Sequence, residues 1–172
     1  MNYCGIAECD VLNGTGFRTV LFVSGCEHHC PKCHNQESWD YNFGHAFTEE
    51  TEKYIYEWLD KDYIDGITIT GGDPFAPGNI NEVSALISRI RRRYGNNKTI
   101  WVWTGYTFDE LQTIKAPLDD IDVVIDGRFE YEKRDVSLKW RGSSNQNIWR
   151  KTISPFTGDI MWAKEKNEIK TD

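Results

Sequence analysis

The hydrophobic pattern of this chain alternates between two periodicities, and this alternation constrains the fold more than any other feature. Residues 19–23 form a short, nearly continuous apolar run rich in β-branched side chains, which is typical of a strand buried on both faces. From Ile80 to Tyr94 the apolar residues instead recur at helical spacing along one face. Strands that alternate with helices predict βαβ units, and therefore a parallel sheet covered by helices.

The same two patterns recur along most of the chain. Thr48 precedes an acidic turn and then apolar residues at helical spacing, so we expect it to cap a helix. Gly95 follows a basic triplet at 91–93, and we expect the glycine to end a helix whose last turn is solvated. The other predicted elements are strands at 67–70, 99–103 and 122–125 and a short helix at 108–114.

Chain length limits how many such units can form. A closed barrel of eight units takes about 250 residues, whereas this chain has 172. We therefore predict an α/β fold that is an open, partial (β/α) barrel with a mainly parallel sheet. In parallel sheets, ligands bind at the carboxyl ends of the strands. The segments after residues 23 and 70 should therefore face the same side of the sheet.

Charge and hydropathy exclude several classes of protein. The formal net charge is −7, which argues against a nucleic-acid partner, because such proteins present a basic face. The longest apolar runs span four residues, as at 20–23, and are too short to cross a bilayer. Met1 is not followed by a basic and then an apolar segment. We expect a cytoplasmic protein with no membrane partner.

Three of the five cysteines lie close together in a C-x-x-x-C-x-x-C loop: Cys26, Cys30 and Cys33. Such spacing without a secretion signal indicates metal or redox chemistry before disulfides. Three thiolates can hold three corners of a 4Fe–4S cube and leave one iron free to chelate a small molecule. Cys4 and Cys9 lie outside the loop and are interpreted as ordinary thiols.

A structural zinc site is the alternative interpretation of this loop. His28, His29 or His34 could complete a tetrahedron with the three thiolates. The chain would then be a zinc-stabilised binding module without catalysis, colourless and zinc-bound after aerobic purification. A cluster enzyme would be brown and sensitive to oxygen.

Taken with its neighbours, the cysteine loop resembles that of the radical S-adenosylmethionine (SAM) enzymes. The resemblance narrows to the activating proteins of anaerobic (class III) ribonucleoside-triphosphate reductase, and it extends to about Arg150. It therefore implies a radical SAM domain over residues 1–150 and a C-terminal extension over 151–172, with a turn at 154–158 and a solvated end from Lys164 onward. The segments that carry the resemblance are 13–18, 23–35, 71–74, 101–106, 126–129 and 140–146.

The resemblance implies a set of site residues. The cysteines of the loop would ligate one 4Fe–4S cluster, and SAM would chelate the fourth iron. Glycines beside SAM make sense, because backbone groups approach a ligand closely only without a Cβ, although a plain turn before Pro74 would also favour them. Many radical SAM enzymes have an aromatic residue where this chain has Lys32. The implied SAM contacts are Lys32, Cys33, His34, Gly71, Gly72, Asp73 and Thr104.

The resemblance also implies the reaction. An external one-electron donor such as flavodoxin reduces the cluster, and SAM is cleaved to methionine and a 5′-deoxyadenosyl radical. That radical removes a Cα hydrogen from a glycine of the large reductase subunit, leaving a glycyl radical. The protein supplies orientation rather than a catalytic side chain of its own. The alternatives within the superfamily are the activase of a different glycyl-radical enzyme and a small-molecule radical enzyme.

Four further residues outside the cysteine loop carry expectations of their own. Arg18 and Arg141 could each hold a carboxylate through a planar guanidinium fork, and surface ion pairs are the alternative. Trp101 and Trp103 are expected at alternating core and surface positions of one strand. Sequence alone offers no physical role for segment 141–146.

Overall fold

The computed structural model describes residues 1–165 of the chain. Its strands are β1 (Asn2–Asp10), β2 (Arg18–Val23), β3 (His45–Ala46), β4 (Gly66–Gly71), β5 (Thr99–Trp103), β6 (Val123–Asp126), β7 (Asn147–Ile153) and β8 (Ile160–Lys164). Its helices are α1 (Glu49–Leu59), α2 (Ile80–Tyr94) and α3 (Phe108–Thr113), with short 3-10 helices at Gln36–Trp39, Leu118–Asp120 and Tyr131–Lys133. Within this part of the chain, no helix combines the length and apolarity that a bilayer crossing needs.

Over residues 1–165, the strands form one eight-stranded sheet in the order β3-β1-β2-β4-β5-β6-β7-β8. The four strands from β2 to β6 along this order are parallel, and α1, α2 and α3 lie in the connections between them. The predicted α/β class is thus confirmed, and so are the predicted strands of the parallel part, with ends that shift by one residue at most.

The sheet is not mainly parallel, however. Among residues 1–165, four of the seven neighbouring strand pairs are antiparallel, two at each flank of the parallel part. Antiparallel neighbours need only a short loop between them, whereas each parallel pair needs a crossover. The chain therefore widens its sheet on both sides without further helices.

The three helices and the sheet enclose the main core. On α2, the buried residues Val83, Leu86, Ile87 and Ile90 form the apolar face that the sequence predicts. Thr48 caps α1 through a capping box with Thr51, and Gly95 ends α2 at a φ of 55°, so both predicted helix boundaries are confirmed.

The tryptophans of β5 lie on the other face of the sheet. Trp101 is buried and Trp103 half-buried, and their rings stack with centroids 5.8 Å apart. The expected core and surface alternation is therefore wrong, because residues two apart in a strand point to the same face. Trp140, from the segment after β6, packs edge-on against Trp101 at 4.9 Å.

Arg18 occupies neither of its two expected environments. Its side chain is fully buried at the amino ends of the parallel strands, at the opposite edge of the sheet from the cysteine loop. The guanidinium donates to Thr68 Oγ1 (2.8 Å) and to the carbonyls of Ile67 (2.6 Å) and Thr99 (2.9 Å). Burial lowers its pKa to about 10. Arg18 thus joins β2, β4 and β5.

In the basic triplet of α2, Arg92 is exposed as predicted, whereas Arg91 is half-buried. Arg91 donates to Asp122 Oδ2 (2.6 Å) and to the carbonyl of Asp120 (2.7 Å). The last turn of α2 is therefore only partly solvated.

The C-terminal region extends the sheet. The boundary at residue 150 falls inside β7, which joins β8 through the predicted turn at 154–158, where the Gly158 N–H donates to the Ser154 carbonyl (2.9 Å). Lys164 ends β8, and the Glu165 N–H donates to the carbonyl of Ile148 (2.8 Å). The rest of the expected solvated end, residues 166–172, lies outside the described residues.

Candidate iron–sulfur site

The cysteine loop follows β2 at the carboxyl edge of the parallel strands. Val23 pairs with Gly71 at the end of β4, and the next N–H groups along, those of Gly72 and Asp73, donate to the carbonyls of Val23 (2.7 Å) and Gly25 (2.8 Å). The prediction that the two segments face the same side of the sheet is confirmed. The loop begins where the Cys26 N–H donates to the carbonyl of Trp39 (3.1 Å).

The three thiols line one small cavity of about 130 Å³. Cys26 is buried, Cys30 and Cys33 are half-buried, and none is in a disulfide. Burial raises the pKa of the Cys26 thiol to about 11 and also raises that of Cys30. A metal centre must therefore displace protons from these thiols as it binds.

A second, larger cavity of about 790 Å³ adjoins the first. Cys33, Gly71 and Gln146 line both cavities. Lys32 and His34 line the larger one, while Gly72, Asp73 and Thr104 line the smaller. The structure thus brings all the predicted site residues to two adjoining cavities, and the larger has a volume typical of sites for small molecules.

The two glycines at the end of β4, Gly71 and Gly72, are required by close backbone packing. A Cβ on Gly71, which has a φ of +113°, would lie 2.5 Å from the carbonyl oxygen of Val23. A Cβ on Gly72 would lie 2.5 Å from the carbonyl oxygen of Gly25 and 2.8 Å from that of Ser38. The sequence predicts that a ligand approaches these glycines, and the structure adds the approach of β2 and the cysteine loop.

Asp73 is a buried hub of hydrogen bonds. Its carboxylate accepts from the Thr104 hydroxyl (2.9 Å), from the N–H groups of Phe75 (2.8 Å) and Gly105 (2.7 Å), and from His28 Nε2 (2.9 Å). These donors come from the ends of two strands and from the cysteine loop. Asp73 and Thr104 therefore shape the small cavity mainly through contacts within the protein.

The histidines of the loop have separate environments. Both ring nitrogens of His28 are engaged, Nε2 with Asp73 and Nδ1 with Arg128 Nε (3.2 Å). His29 is exposed and bonds the Glu27 carbonyl through Nδ1 (2.9 Å), and His34 is exposed at the larger cavity. Within residues 1–165, no three His, Cys, Asp or Glu side chains are arranged to hold a single metal ion.

Tyr131 is a site residue that sequence reasoning missed. The ammonium of Lys32 lies 3.7 Å from the centroid of the Tyr131 ring, and both residues line the larger cavity. An aromatic face thus lies beside position 32, although it comes from a segment far along the chain. No local signal in the sequence marks this tyrosine.

Segment 141–146 forms part of the cavity wall. Gln146 Oε1 accepts from the N–H groups of Gly142 (2.8 Å) and Ser143 (3.1 Å), and Gln146 Nε2 donates to the carbonyl of Gly127 (2.9 Å). Arg141 donates to the backbone carbonyl of Gln146 (3.2 Å). The segment folds on itself through Gln146 and is fixed to the loop after β6.

The donor set of the small cavity fits an iron–sulfur cluster. Three cysteines with soft sulfur ligands line this cavity, while His28 and Asp73 are held by bonds to other protein groups. A cube held by three cysteines binds each thiolate to its own iron, so the sulfurs need not converge on one point.

Comparison with known proteins agrees with this chemistry. Residues 12–149 match the family described as 4Fe-4S single cluster domain. The chain is 45% identical over 159 residues to the anaerobic ribonucleoside-triphosphate reductase-activating protein of Enterobacteria phage T4, covering 92% of this chain and 100% of that protein. The proteins of the same name from Escherichia coli (strain K12) and Haemophilus influenzae are 45% and 46% identical, covering 86% and 87% of this chain and 97% and 98% of theirs. The chain therefore belongs to the family of anaerobic ribonucleoside-triphosphate reductase-activating proteins, with a 4Fe-4S single cluster domain.

Proposed function

We propose that this protein is a radical SAM activase that generates a glycyl radical on the large subunit of anaerobic ribonucleoside-triphosphate reductase. The observation that carries the proposal is the cavity lined by three free thiols at the carboxyl edge of a parallel sheet, beside a second cavity of about 790 Å³. The relatives' name supplies the partner.

In this proposal Cys26, Cys30 and Cys33 ligate three irons of one 4Fe–4S cluster and leave the fourth iron for SAM. When bound, the reduced cluster would supply the one electron that cleaves the S–C5′ bond of SAM to methionine and a 5′-deoxyadenosyl radical. That radical would take the Cα hydrogen of the reductase glycine. The electron comes from an external donor such as flavodoxin, and we propose the cytoplasm as the reducing compartment.

The chain's own residues bind and orient the co-substrate. We propose that Lys32, His34 and the backbone of Gly71 contact SAM, because they line the larger cavity where it adjoins Cys33. Trp103 and Phe129 line both cavities and exclude water from the reacting atoms. Gly72, Asp73 and Thr104 form the wall that Cys26 and SAM share.

The same proposal extends to the fold and its boundaries. The parallel strands with helices on one face support a partial barrel of the radical SAM type. All the proposed site residues lie within residues 1–150, which we propose as the activase unit. A barrel that does not close leaves one side open for a protein substrate.

The test is an anaerobic activation assay. The protein is reconstituted with iron and sulfide, reduced, and mixed with SAM and the large subunit of the matching reductase. Electron paramagnetic resonance detects the glycyl radical, and 5′-deoxyadenosine is measured in the same sample. We expect both products from the wild type and neither after Cys26→Ala, Cys30→Ala or Cys33→Ala.

Cys9→Ala is the matched control, because Cys9 is an exposed cysteine away from the loop, and it should retain both products. Deoxyadenosine without a glycyl radical would favour a different radical SAM substrate. Neither product, with one zinc retained per chain, would overturn the proposal in favour of the zinc module.

A further inference from the structure

His28 lies inside the cysteine loop, between the first two cysteines, yet its side chain contacts residues outside the loop. We infer that His28 is a positioning residue that fixes the loop in the conformation that receives the cluster. The inference rests on the proposed role of the three cysteines and goes beyond it, because it concerns how the chain arranges the cysteines.

The first observation is the pair of hydrogen bonds that hold the imidazole. Nε2 lies 2.9 Å from Asp73 Oδ2, and Nδ1 lies 3.2 Å from Arg128 Nε. An arginine side chain can only donate, so Nδ1 is the acceptor and Nε2 carries the hydrogen that Asp73 accepts. The side chain of His28 is only 7% exposed. These bonds assign the tautomer and leave neither nitrogen free for a metal.

The second observation is that the residues after β5 leave space for the imidazole ring of His28 and pack against it. A Cβ on Gly105 would lie 2.3 Å from Cδ2 of His28, so a side chain at position 105 would displace the imidazole. Tyr106 packs against the ring in an edge-on arrangement, with centroids 4.6 Å apart. The residues after β5 therefore form a slot for His28.

The loop needs such support from outside. His29 and Lys32 both have left-handed backbone conformations, with φ of 46° and 57°. This region is unfavourable for residues with a side chain and persists only when the surroundings enforce it. The other two histidines, His29 and His34, are exposed and contact no buried carboxylate within the described residues 1–165. Of the three, only His28 ties the loop to the strand ends.

Asp73 transmits the constraint to the sheet. The carboxylate that accepts from His28 also accepts from the N–H of Gly105 and the hydroxyl of Thr104, both just after β5. The loop after β2 is thereby fixed to the ends of β4 and β5, and Arg128 adds the end of β6. A loop held in this way loses less conformational entropy when a cluster binds.

The test measures retention of the cluster. Wild-type protein, His28→Ala and Gly105→Ala are reconstituted anaerobically, and iron, sulfide and the absorption spectrum are recorded. The rate of iron loss to a chelator is then measured. We expect both variants to lose iron about 10- to 100-fold faster than wild type, the size of effect seen when residues that orient metal ligands are changed.

Two matched control variants test whether faster iron loss is specific to positions 28 and 105. His29→Ala removes an exposed histidine of the same loop, and Gly5→Ala adds a Cβ that meets nothing within 4 Å. Both should lose iron as slowly as wild type. His28→Gln should restore part of the retention, because its amide can donate to Asp73 and accept from Arg128.

Each outcome is decisive. The inference is overturned if His28→Ala retains iron as firmly as His29→Ala, or if His28→Gln is no better than His28→Ala at equal thermal stability. Cys33→Ala tells this failure from failure of the proposed function: a Cys33→Ala protein that keeps the wild-type cluster would overturn the cysteine assignment itself.

Discussion

Arg18 is a charged side chain that the fold buries completely, with no carboxylate of residues 1–165 in direct contact with it. Its partners are hydroxyl and carbonyl oxygens of Thr68, Ile67 and Thr99, and its guanidinium lies 5.1 Å from the centroid of the Trp101 ring. Removal of the guanidinium would leave the buried Thr68 hydroxyl and Ile67 carbonyl without this donor. The side chain of Arg18 therefore links the amino ends of β2, β4 and β5, at the edge of the sheet opposite the cluster site.

We predict that Arg18→Met lowers the free energy of unfolding by about 3 kcal/mol, because several buried acceptors lose a charged donor. Urea unfolding followed by tryptophan fluorescence measures this loss. Arg92→Met, at an exposed arginine of α2, should change stability by less than about 0.5 kcal/mol. The iron content of Arg18→Met should match wild type, because the two sites lie at opposite edges of the sheet. An Arg18→Met protein as stable as wild type would mean that the hydrogen bonds only balance the cost of burying the charge.

Residue identities at the site follow from the sequence where the signal is local. The cysteine spacing and the paired glycines are each contained in one short segment. The hydrogen bonds that hold His28 are different, because Asp73 lies 45 positions away along the chain and Arg128 lies 100 positions away. Contacts of that kind depend on the register of the sheet, which no single segment encodes.

Among the elements, the helices and the parallel strands were predicted well because their faces are strongly apolar. β1 was not predicted, since none of its nine residues is fully buried and polar side chains interrupt its pattern. β7 has one buried residue, Ile148. Strands at the flanks of a sheet with one solvated face carry a weak signal, so the antiparallel flanks were missed.

Two tyrosines at the contact between α1 and α2 should make the free energy of unfolding decrease at alkaline pH. Tyr56, on α1, is partly buried and bonds to Glu52, and these two effects raise its pKa to about 12. Burial and a 2.7 Å bond to Asp60 likewise raise the pKa of Tyr94, on α2. In the unfolded chain a tyrosine titrates at about 10. Both hydroxyls are therefore held neutral in the folded state.

We predict that stability falls as pH rises from about 10 to about 12, because the unfolded chain then loses phenolic protons that the folded chain keeps. Tyr56→Phe should flatten this fall by up to about 1 kcal/mol per pH unit, a value reduced for the partial exposure of the group. Urea unfolding at a series of pH values measures both slopes. Below pH 10 the two proteins should differ by a constant amount. Equal slopes above pH 10 would exclude Tyr56 as a source of the effect.

At the scale of the whole molecule, the flank of the sheet formed by β7 and β8 packs against α3. Trp149 of β7 stacks on Phe108 of α3 at 4.5 Å and donates to Asp126 at the end of β6. Trp162 of β8 lies 5.3 Å from the same Phe108 ring. The β7–β8 hairpin thus covers α3 and the strand that leads into the cavity wall, although the family resemblance in the sequence ends near residue 150.

We predict that a chain ending at residue 150 is less stable than one ending at residue 165. The shorter chain keeps only part of β7 and loses Trp162, and removal of a packed tryptophan alone costs about 3 kcal/mol. Calorimetry of the two proteins should show a Tm difference of about 6–12 °C. The chain ending at 165 is the control, since it keeps every described strand. Equal Tm values would mean that the hairpin is an appendage and that residues 1–150 fold as a complete domain. A lower Tm for the chain that ends at residue 150 would instead mean that the folding unit includes β8, while the proposed site lies within residues 1–150.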